Sequence, residues 1–239
     1  MIPKKIHYCW FGRGEMPELA RKCIESWKKY LPEYEIKEWN EDNFDINSYP
    51  YVREAYENRR FAFVTDVVRL YALYNEGGVY MDTDVEVLKP LDSILAYEIV
   101  SGFESETQIP TGLMASQPKM PFMLELLQDY DNLHFVKSDG ALDLTTNVDR
   151  ITQHCMKYGI SLNNTFQTVN GFTFLPKDYL CPKSYDDGKV RLTENTLVIH
   201  HFAGSWYTPM EKLKQKIAKL LGKRLSSGLV KIKGVFVSK

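Results

Sequence analysis

Several features that would at once assign this chain of 239 residues to a functional class are missing. It has no run of about 18 apolar residues, so no membrane-spanning helix is expected. The four cysteines form no Cys-x-x-Cys pair, which argues against a zinc site or a disulfide framework and favours reduced thiols in a cytosolic protein. The formal net charge is only −1 and no nucleic-acid-binding motif occurs, so no nucleic-acid partner is expected.

The small net charge conceals a basic C-terminal tail. Residues 210–239 contain nine Lys or Arg residues and one acidic residue, Glu211. Apolar side chains recur at helical spacing from Met210 to Leu221. We therefore divide the chain into a domain at 1–209 and a basic amphipathic tail at 210–239. Two interpretations of the tail are weighted equally: a helix packed on the domain, or attachment to an anionic surface, which would place this cytoplasmic protein on the inner face of the cytoplasmic membrane.

The most informative stretch begins with an almost wholly apolar segment from Phe61 to Tyr74, which predicts a buried helix. Asp66 and Arg69 interrupt it three residues apart, so they share one helix face. Charges on a buried helix must be paired or must face a charged ligand. The Gly77-Gly78 pair then predicts the end of the helix, because glycine adopts the terminating conformation without a steric penalty.

Two aspartates follow the next short strand. Val79 to Met81 is apolar and predicts a buried strand, and Asp82-Thr83-Asp84 lies directly after it. Carboxylates at such a bend can converge on one hard divalent cation, with phosphate oxygens completing its coordination. An isolated Asp-x-Asp is also common in a solvated turn, so the pair alone does not establish a metal site.

Two earlier predicted strands also end in polar loops. A predicted strand ends at Trp10, a predicted helix opens at Pro17, and a second strand ends at Trp39-Asn40. Strand, helix and strand in this order favour an α/β fold with a parallel sheet. Because ligands bind at the carboxyl ends of such strands, Trp10, Asn40 and the paired aspartates should face one crevice.

Eight residues in this stretch have the order and spacing of a known family motif. They are Thr65, Asp66, Arg69, Gly77, Gly78, Tyr80, Asp82 and Asp84. The pattern resembles the Asp-x-Asp glycosyltransferases of the sugar-binding-region family (glycosyltransferase family 32), which includes yeast mannosyltransferases and bacterial capsule enzymes, and more distantly the glucosyltransferase domains of clostridial toxins. The resemblance implies a single GT-A type domain with a mainly parallel central sheet.

The same resemblance implies a set of donor-binding residues. Trp10 would stack on the nucleotide base, although a core tryptophan is an equal alternative, and a stacked base is worth about 1–3 kcal/mol. Ser205-Trp206 resembles a signature that covers the diphosphate. The donor-binding residues are predicted to be Trp10, Asn40, Thr65, Asp66, Arg69, Tyr80, Asp82, Ser205 and Trp206. For Tyr80, a core role is equally plausible.

A second polar cluster follows an apolar strand near the C-terminus. His200 and His201 end the segment Thr196 to Ile199, and Gly204 follows. The spacing from His201 to Gly204 is similar to the closing motif of related transferases, whose histidine is the third metal ligand. Adjacent strand residues point in opposite directions, so only one histidine should reach the metal; His201 is the choice, and His200 stays open as the alternative. With Asp82 and Asp84 it would hold Mn²⁺ or Mg²⁺.

These residues predict a metal-dependent transfer of a hexose from a nucleotide-diphosphate sugar to a saccharide acceptor. Asp66, Arg69 and Asp84 are the predicted catalytic residues; Arg69 would contact the sugar or the diphosphate, and Asp66 would accept hydrogen bonds from sugar hydroxyls. The resemblance implies retention at the anomeric carbon. A UDP-hexose such as UDP-galactose is the favoured donor, with GDP-mannose open, and a lipid-linked capsule or O-antigen intermediate is the expected acceptor.

Two other functional classes remain as alternatives. Haloacid-dehalogenase-type phosphatases also place Asp-x-Asp at a strand end, but they require Thr or Val where this chain has Glu86. A sugar-binding module without enzymatic activity would not need metal ligands and a base-stacking tryptophan together.

Overall fold

The computed structural model describes residues 1–109, 112–184 and 188–204. Ser205, Trp206 and the tail at 210–239 lie outside the described residues. The strands are β1 (Lys5–Cys9), β2 (Glu35–Trp39), β3 (Gly78–Met81), β4 (Val85–Val87), β5 (Ile99–Gly102), β6 (Leu113–Ser116), β7 (Gln167–Val169), β8 (Phe172–Leu175) and β9 (Val198–His200). The helices are α1 (Glu18–Tyr30), α2 (Pro50–Glu57), α3 (Phe61–Glu76), α4 (Pro121–Gln128), α5 (Asn147–Lys157) and α6 (Lys177–Leu180). Among the described residues, no helix is both long and apolar enough to cross a membrane.

Seven strands form the central sheet in the order β2-β1-β3-β6-β5-β8-β7. The pairs β1–β2, β1–β3 and β5–β8 are parallel, whereas β6 runs antiparallel to both β3 and β5, and β7 runs antiparallel to β8. Five of the seven strands therefore run in one direction. The prediction of an α/β fold with a mainly parallel central sheet is confirmed.

The sheet is buried on both faces. Along β3, Tyr80 points into a core that contains α2, α3 and α4, while Val79 and Met81 point into the core on the opposite face. That second core contains α1 and the small antiparallel sheet formed by β4 and β9. Alternate burial on two faces explains why β3 is an unbroken apolar run, as expected for a strand covered on both sides.

Helix α3 confirms the prediction of a buried helix over this stretch. Most of its side chains, including those of Asp66 and Arg69, are buried. The helix ends at Gly77, whose φ of 65° and ψ of −166° fall in a region that is essentially restricted to glycine. A Cβ on Gly77 would lie 2.7 Å from the Pro118 backbone nitrogen, so there is also no room for a side chain at this position. This sharp turn delivers the chain from α3 directly into β3.

The five strands of common direction end at one edge of the sheet. Trp10 follows β1, Asn40 follows β2 and Asp82 follows β3. On the far side of β6, Glu104 comes two residues after β5 and Lys177 two residues after β8. The predicted convergence of the first three loops on one edge is thus observed, and two charged residues from the other half of the sheet join them.

Candidate active site

The paired aspartates lie in a tight turn between β3 and β4. The Asp82 N–H donates to the Gly112 carbonyl at 2.8 Å, and the Val85 N–H donates to the Asp82 carbonyl at 3.0 Å. The chain thus reverses out of the central sheet at Asp82 and enters the small sheet at Val85. Asp82 and Asp84 are both only partly exposed on this bend.

Two side chains fix the Asp82 carboxylate. Arg69 Nη2 lies 3.1 Å from Asp82 Oδ1, and the Tyr80 phenol donates to the same oxygen at 2.9 Å. Tyr80 itself is only 1% exposed, and the Arg69 guanidinium lies 4.5 Å from the centre of its ring. Burial raises the pKa of Asp82, and Arg69 opposes this shift. The structure therefore places Tyr80 beneath Asp82, where it orients the carboxylate, and a donor contact by its phenol stays a prediction.

Asp84 is held from the opposite side by the segment that follows β9. Its Oδ1 lies 3.4 Å from His200 Nε2, and its Oδ2 accepts a hydrogen bond from the Ala203 N–H at 2.7 Å. Burial alone would raise the pKa of Asp84, but His200 and the Ala203 N–H outweigh burial and lower it to about 2. Asp84 is therefore an ionised acceptor throughout the physiological pH range.

His200 joins the two aspartates, and this corrects the choice of His201 as the third member of the site. One ligand atom from each of Asp82, Asp84 and His200 lies within 4.8 Å of the other two. In the β4–β9 ladder His200 pairs with Val85, which brings its side chain beside Asp84. The ring of His201 is turned away, and its Nε2 lies 2.8 Å from Glu86 Oε2.

The His200 ring sits in a close-fitting slot. The Phe202 ring lies 4.3 Å away, centre to centre, and a Cβ on Gly112 would come within 2.9 Å of His200 Nδ1. Burial would lower the pKa of His200, yet the neighbouring Asp84 carboxylate raises it well above its ordinary value. The histidine is thus positioned by packing and by charge at the same time.

This donor set fits a divalent cation. Two carboxylates and one imidazole are ligands that suit Mn²⁺ and related first-row ions. The carboxylates converge although their like charges repel, and the Nε2 atom of His200 lies 3.4 Å from Asp84 Oδ1. The side chains that would hold a cation are therefore Asp82, Asp84 and His200.

The predicted pair of Asp66 and Arg69 lies directly beside these ligands. Arg69 Nη2 is 3.3 Å from Asp66 Oδ1, so the guanidinium bridges Asp66 and Asp82. Burial raises the pKa of Asp66 to about 7, while Arg69 opposes the shift. The side chain of Arg69 is only 5% exposed. Its observed role is to hold the two carboxylates, and a direct contact with the donor stays a prediction.

Helix α5 supports Asp66 from behind, which was not predicted. Asn147 Nδ2 donates to the Asp66 carbonyl at 3.5 Å, and Arg150, one turn further on, interacts electrostatically with the Asp66 carboxylate. Arg150 also forms an ion pair with Asp143. No motif marks Arg150, and its proximity to Asp66 depends on packing between α3 and α5.

The remaining predicted residues lie in the loops of the same edge. Trp10 is partly buried, and its Nε1 donates to the Gly14 carbonyl at 2.8 Å. Asn40 donates from Nδ2 to Glu38 at 2.7 Å and accepts from the Asp42 N–H at 2.9 Å, so both of its side-chain polar atoms stabilise its own loop. The Thr65 hydroxyl donates to the Ala62 carbonyl within α3 at 2.7 Å. Donor contacts by all three remain predictions.

The chain resembles proteins with a common activity. Residues 17–100 match the family model described as "Glycosyltransferase sugar-binding region containing DXD motif". Inositol phosphoceramide mannosyltransferase 3 of Schizosaccharomyces pombe is 30% identical over 142 residues, which cover 56% of this chain and 38% of that protein. Mannosyl phosphorylinositol ceramide synthase SUR1 of Saccharomyces cerevisiae is 27% identical over 143 residues, 57% of this chain and 37% of that protein. The chain thus spans well under half the length of these relatives.

Solved structures give a more distant likeness. A glycosyltransferase involved in glycosylation of the major capsid of PBCV-1 is 14% identical with a TM-score of 0.49, and the match covers 89% of this chain and 99% of that one. PaToxG glycosyltransferase is 20% identical with a TM-score of 0.44, over 53% of this chain and 59% of that one.

Proposed function

We propose that this chain is a DXD glycosyltransferase that transfers a hexose from a nucleotide-diphosphate sugar to a hydroxyl of a saccharide acceptor in a divalent-metal-dependent reaction. The observation that carries the proposal is the convergence of Asp82, Asp84 and His200 within 4.8 Å at the carboxyl edge of the sheet. A bound divalent cation would act there as a Lewis acid for the departing diphosphate.

The chain's own residues have distinct parts in this proposal. Asp84, Asp82 and His200 hold the cation, and Tyr80 and Arg69 keep Asp82 in place for it. Asp66 offers a carboxylate beside that site to the hydroxyls of the donor hexose. The resemblance supports retention of configuration, which remains part of the proposal.

The identities of the sugar and the acceptor are proposals drawn from relatives. One relative is named an inositol phosphoceramide mannosyltransferase and another a mannosyl phosphorylinositol ceramide synthase, which supports GDP-mannose as one donor to test. A UDP-hexose such as UDP-galactose stays as the other, and Mn²⁺ is preferred to Mg²⁺ because of the imidazole ligand. The acceptor is proposed to be a lipid-linked saccharide, either a phosphoinositol lipid or a capsule or O-antigen intermediate.

The cellular placement is likewise a proposal. We keep the division into a catalytic domain at 1–209 and a basic tail at 210–239, with the protein at the inner face of the cytoplasmic membrane. Its support is the charge of the tail, with nine basic residues and one acidic residue. Co-sedimentation of full-length protein and a 1–209 variant with phosphatidylglycerol vesicles tests the tail, and equal sedimentation of both would overturn the attachment.

Release of nucleoside diphosphate tests the activity. Full-length protein is incubated with GDP-mannose, UDP-galactose or UDP-glucose, with and without Mn²⁺, and with p-nitrophenyl hexosides or vesicles containing inositol phosphoceramide as acceptors. We expect Mn²⁺-dependent release with at least one donor. Asp84→Asn should abolish both the release and the Mn²⁺-dependent binding of the free nucleoside diphosphate. Asp92→Asn, an exposed aspartate that pairs with Lys4 just before the start of β1, at the opposite end of that strand, is the matched control and should change neither.

The rival classes predict other results in the same assay. Phosphate release from p-nitrophenyl phosphate, without nucleoside diphosphate release from any donor, would favour a phosphatase. Binding of sugars without turnover of any donor would favour a binding module. Either result would overturn the proposed transfer reaction.

A further inference from the structure

Glu104 belongs to the half of the sheet edge that the family motif does not cover. It lies two residues after β5, in a loop between Phe103 and Ile109, which are both completely buried. The Glu104 N–H donates to the Gln108 carbonyl at 2.9 Å, and the Ile109 N–H donates to Thr152 Oγ1 at 3.2 Å. The loop is therefore anchored at both ends, and Glu104 is presented from a fixed backbone.

The sheet order sets where Glu104 lies relative to the metal ligands. β3, which precedes Asp82, is separated from β5 by β6 alone. Strands in a sheet are about 4.8 Å apart, so Glu104 starts roughly 10 Å from the Asp82 strand, on the side opposite Trp10 and Asn40. Gly112 precedes β6 between them, and the His200 ring packs against it, since a Cβ on Gly112 would lie 2.9 Å from His200 Nδ1.

The Glu104 carboxylate lies within electrostatic range of the candidate metal ligands without being one of them. It interacts electrostatically with His200, Asp82 and Asp84, and with Lys177 beyond it. The group of ligand atoms that lie within 4.8 Å of one another contains Asp82, Asp84 and His200 but not Glu104. Glu104 is thus a neighbour of the candidate metal ligands that lies outside the group able to share one cation.

The carboxylate is also unpartnered. Within the described ranges 1–109, 112–184 and 188–204, it accepts no hydrogen bond and forms no ion pair within 4 Å, although it is only partly exposed. Burial raises its pKa, while His200 and Lys177 act in the opposite direction. A half-buried carboxylate beside two other carboxylates is unfavourable unless hydrogen-bond donors reach it. The described residues supply no such donor, so in this partly exposed position only water or a substrate hydroxyl does.

We propose that Glu104 binds the acceptor, by accepting a hydrogen bond from a hydroxyl of the saccharide that receives the hexose. The proposal rests on the proposed glycosyltransferase function. Its basis is the location of an unpartnered carboxylate across Gly112 from the metal ligands and away from the base-binding loops. Sugar hydroxyls supply the missing donors, and a fixed carboxylate selects acceptors by the position of one hydroxyl.

The test separates the acceptor from the donor by using water as a competing acceptor. Hydrolysis of the donor by water requires the metal and donor sites only, whereas transfer to p-nitrophenyl hexosides or to inositol phosphoceramide vesicles also requires the acceptor site. Glu104→Gln keeps the size of the side chain and removes its charge. Glu106→Gln, in the same loop and exposed, is the matched control.

For Glu104→Gln we expect KM for the acceptor to rise about fivefold to tenfold, because the glutamine oxygen still accepts the hydrogen bond but a neutral acceptor holds it more weakly than a charged one. The rate of donor hydrolysis and the Mn²⁺ requirement should equal those of the wild type, the melting temperature should be no lower because a carboxylate beside two others is neutralised, and Glu106→Gln should match the wild type throughout. Unchanged transfer by Glu104→Gln would overturn the proposal. Equal losses of hydrolysis and transfer, or a raised Mn²⁺ requirement, would also overturn it, because Glu104 would then act on the donor or the cation. Failure of the wild type to release nucleoside diphosphate from any donor would instead refute the proposed transfer reaction itself.

Discussion

The two halves of the sheet edge balance their charges in different ways. On the β1–β3 half, Arg69 bridges Asp66 and Asp82 at 3.3 and 3.1 Å, and Asp84 is held by His200 and a backbone N–H. On the β5–β8 half, within the described part of the chain, the side chains of Glu104 and Lys177 make no hydrogen bond or ion pair. The first half is a preorganised site whose charges are already compensated, and the second lacks partners that a substrate would supply.

The largest expected effect distinguishes the two adjacent histidines on the preorganised half. Loss of an outer-shell partner of a metal ligand typically costs about 10- to 100-fold in affinity or activity, so loss of a ligand should cost more. We expect His200→Gln to reduce Mn²⁺-dependent kcat/KM by more than about a hundredfold. His201→Gln, which removes only a contact with Glu86, should change it by about twofold, the scale of an ordinary surface substitution.

The stability of both histidine variants is measured as well, so that a loss of activity can be distinguished from a loss of folding. Both histidine variants are assayed with Mn²⁺ titrated, and the free energy of unfolding of each is measured in urea. A large loss in His201→Gln with little change in His200→Gln would return the ligand role to His201 and refute the arrangement at the β4–β9 ladder.

The next largest effect concerns how stability depends on pH, because the pKa values of Asp66 and Asp84 shift in opposite directions. Burial raises the pKa of Asp66 from 3.8 to about 7, so between pH 4 and 7 the folded state keeps a proton that the unfolded state releases. The free energy of unfolding therefore falls as pH rises through this window, by on the order of 4 kcal/mol. Asp66→Asn cannot ionise, so its stability relative to the wild type should grow from pH 4 to 7 and then level off.

For Asp84 the free energy of unfolding changes with pH in the opposite direction. Its pKa is lowered from 3.8 to about 2, so its ionised form stabilises the fold above pH 4 and this stabilisation is lost as pH falls toward 2. Asp84→Asn should be less stable than the wild type by on the order of 2 kcal/mol between pH 5 and 8, without a trend in that range. Urea unfolding in EDTA at several pH values measures both variants. Parallel pH profiles for the two would contradict the assigned charge environments.

Much of the β1–β3 half could be predicted because its signals are local. The apolar run of α3, the Gly77-Gly78 stop and the apolar strand before Asp82 each depend on residues that are neighbours in sequence. The choice between His200 and His201 could not be made in this way. Strand alternation shows that one histidine faces the aspartates, but the pairing of His200 with Val85 decides which, and that register joins segments over a hundred residues apart.

The β5–β8 half has no comparable local signal. Glu104 stands in an ordinary polar loop, and only the insertion of β6 between β3 and β5 brings that loop near the metal ligands. Arg150 likewise reaches Asp66 through the packing of α5, with no motif to mark it. Positions that depend on strand order and helix packing are not encoded at any fixed spacing, so they emerge only from the folded chain.

A smaller effect, on the free energy of unfolding, tests whether the turn from α3 into β3 requires glycine at position 77. Gly77 has a φ of 65°, and a Cβ there would contact Pro118 at 2.7 Å. Gly77→Ala should lower the free energy of unfolding by about 1–3 kcal/mol for the backbone strain alone. Gly14→Ala is the matched control, since nothing lies within 4 Å of its added Cβ. Urea unfolding compares the two, and equal stabilities would show that the turn into β3 tolerates a side chain.

The smallest expected effect, on nucleotide binding, tests whether Trp10 stacks on the base or only stabilises its own loop. If the ring stacks on a nucleotide base, Trp10→Ala should weaken binding of the free nucleoside diphosphate by about 1–3 kcal/mol. Trp10→Phe keeps an aromatic face but loses the hydrogen bond from Nε1 to the Gly14 carbonyl, which is worth about 1 kcal/mol. Calorimetric titration with Mn²⁺ present should therefore rank the wild type above Trp10→Phe and Trp10→Phe above Trp10→Ala. Equal binding by all three, with lower stability in both variants, would make Trp10 a structural residue, and the base-binding end of the preorganised half would then have to be sought elsewhere.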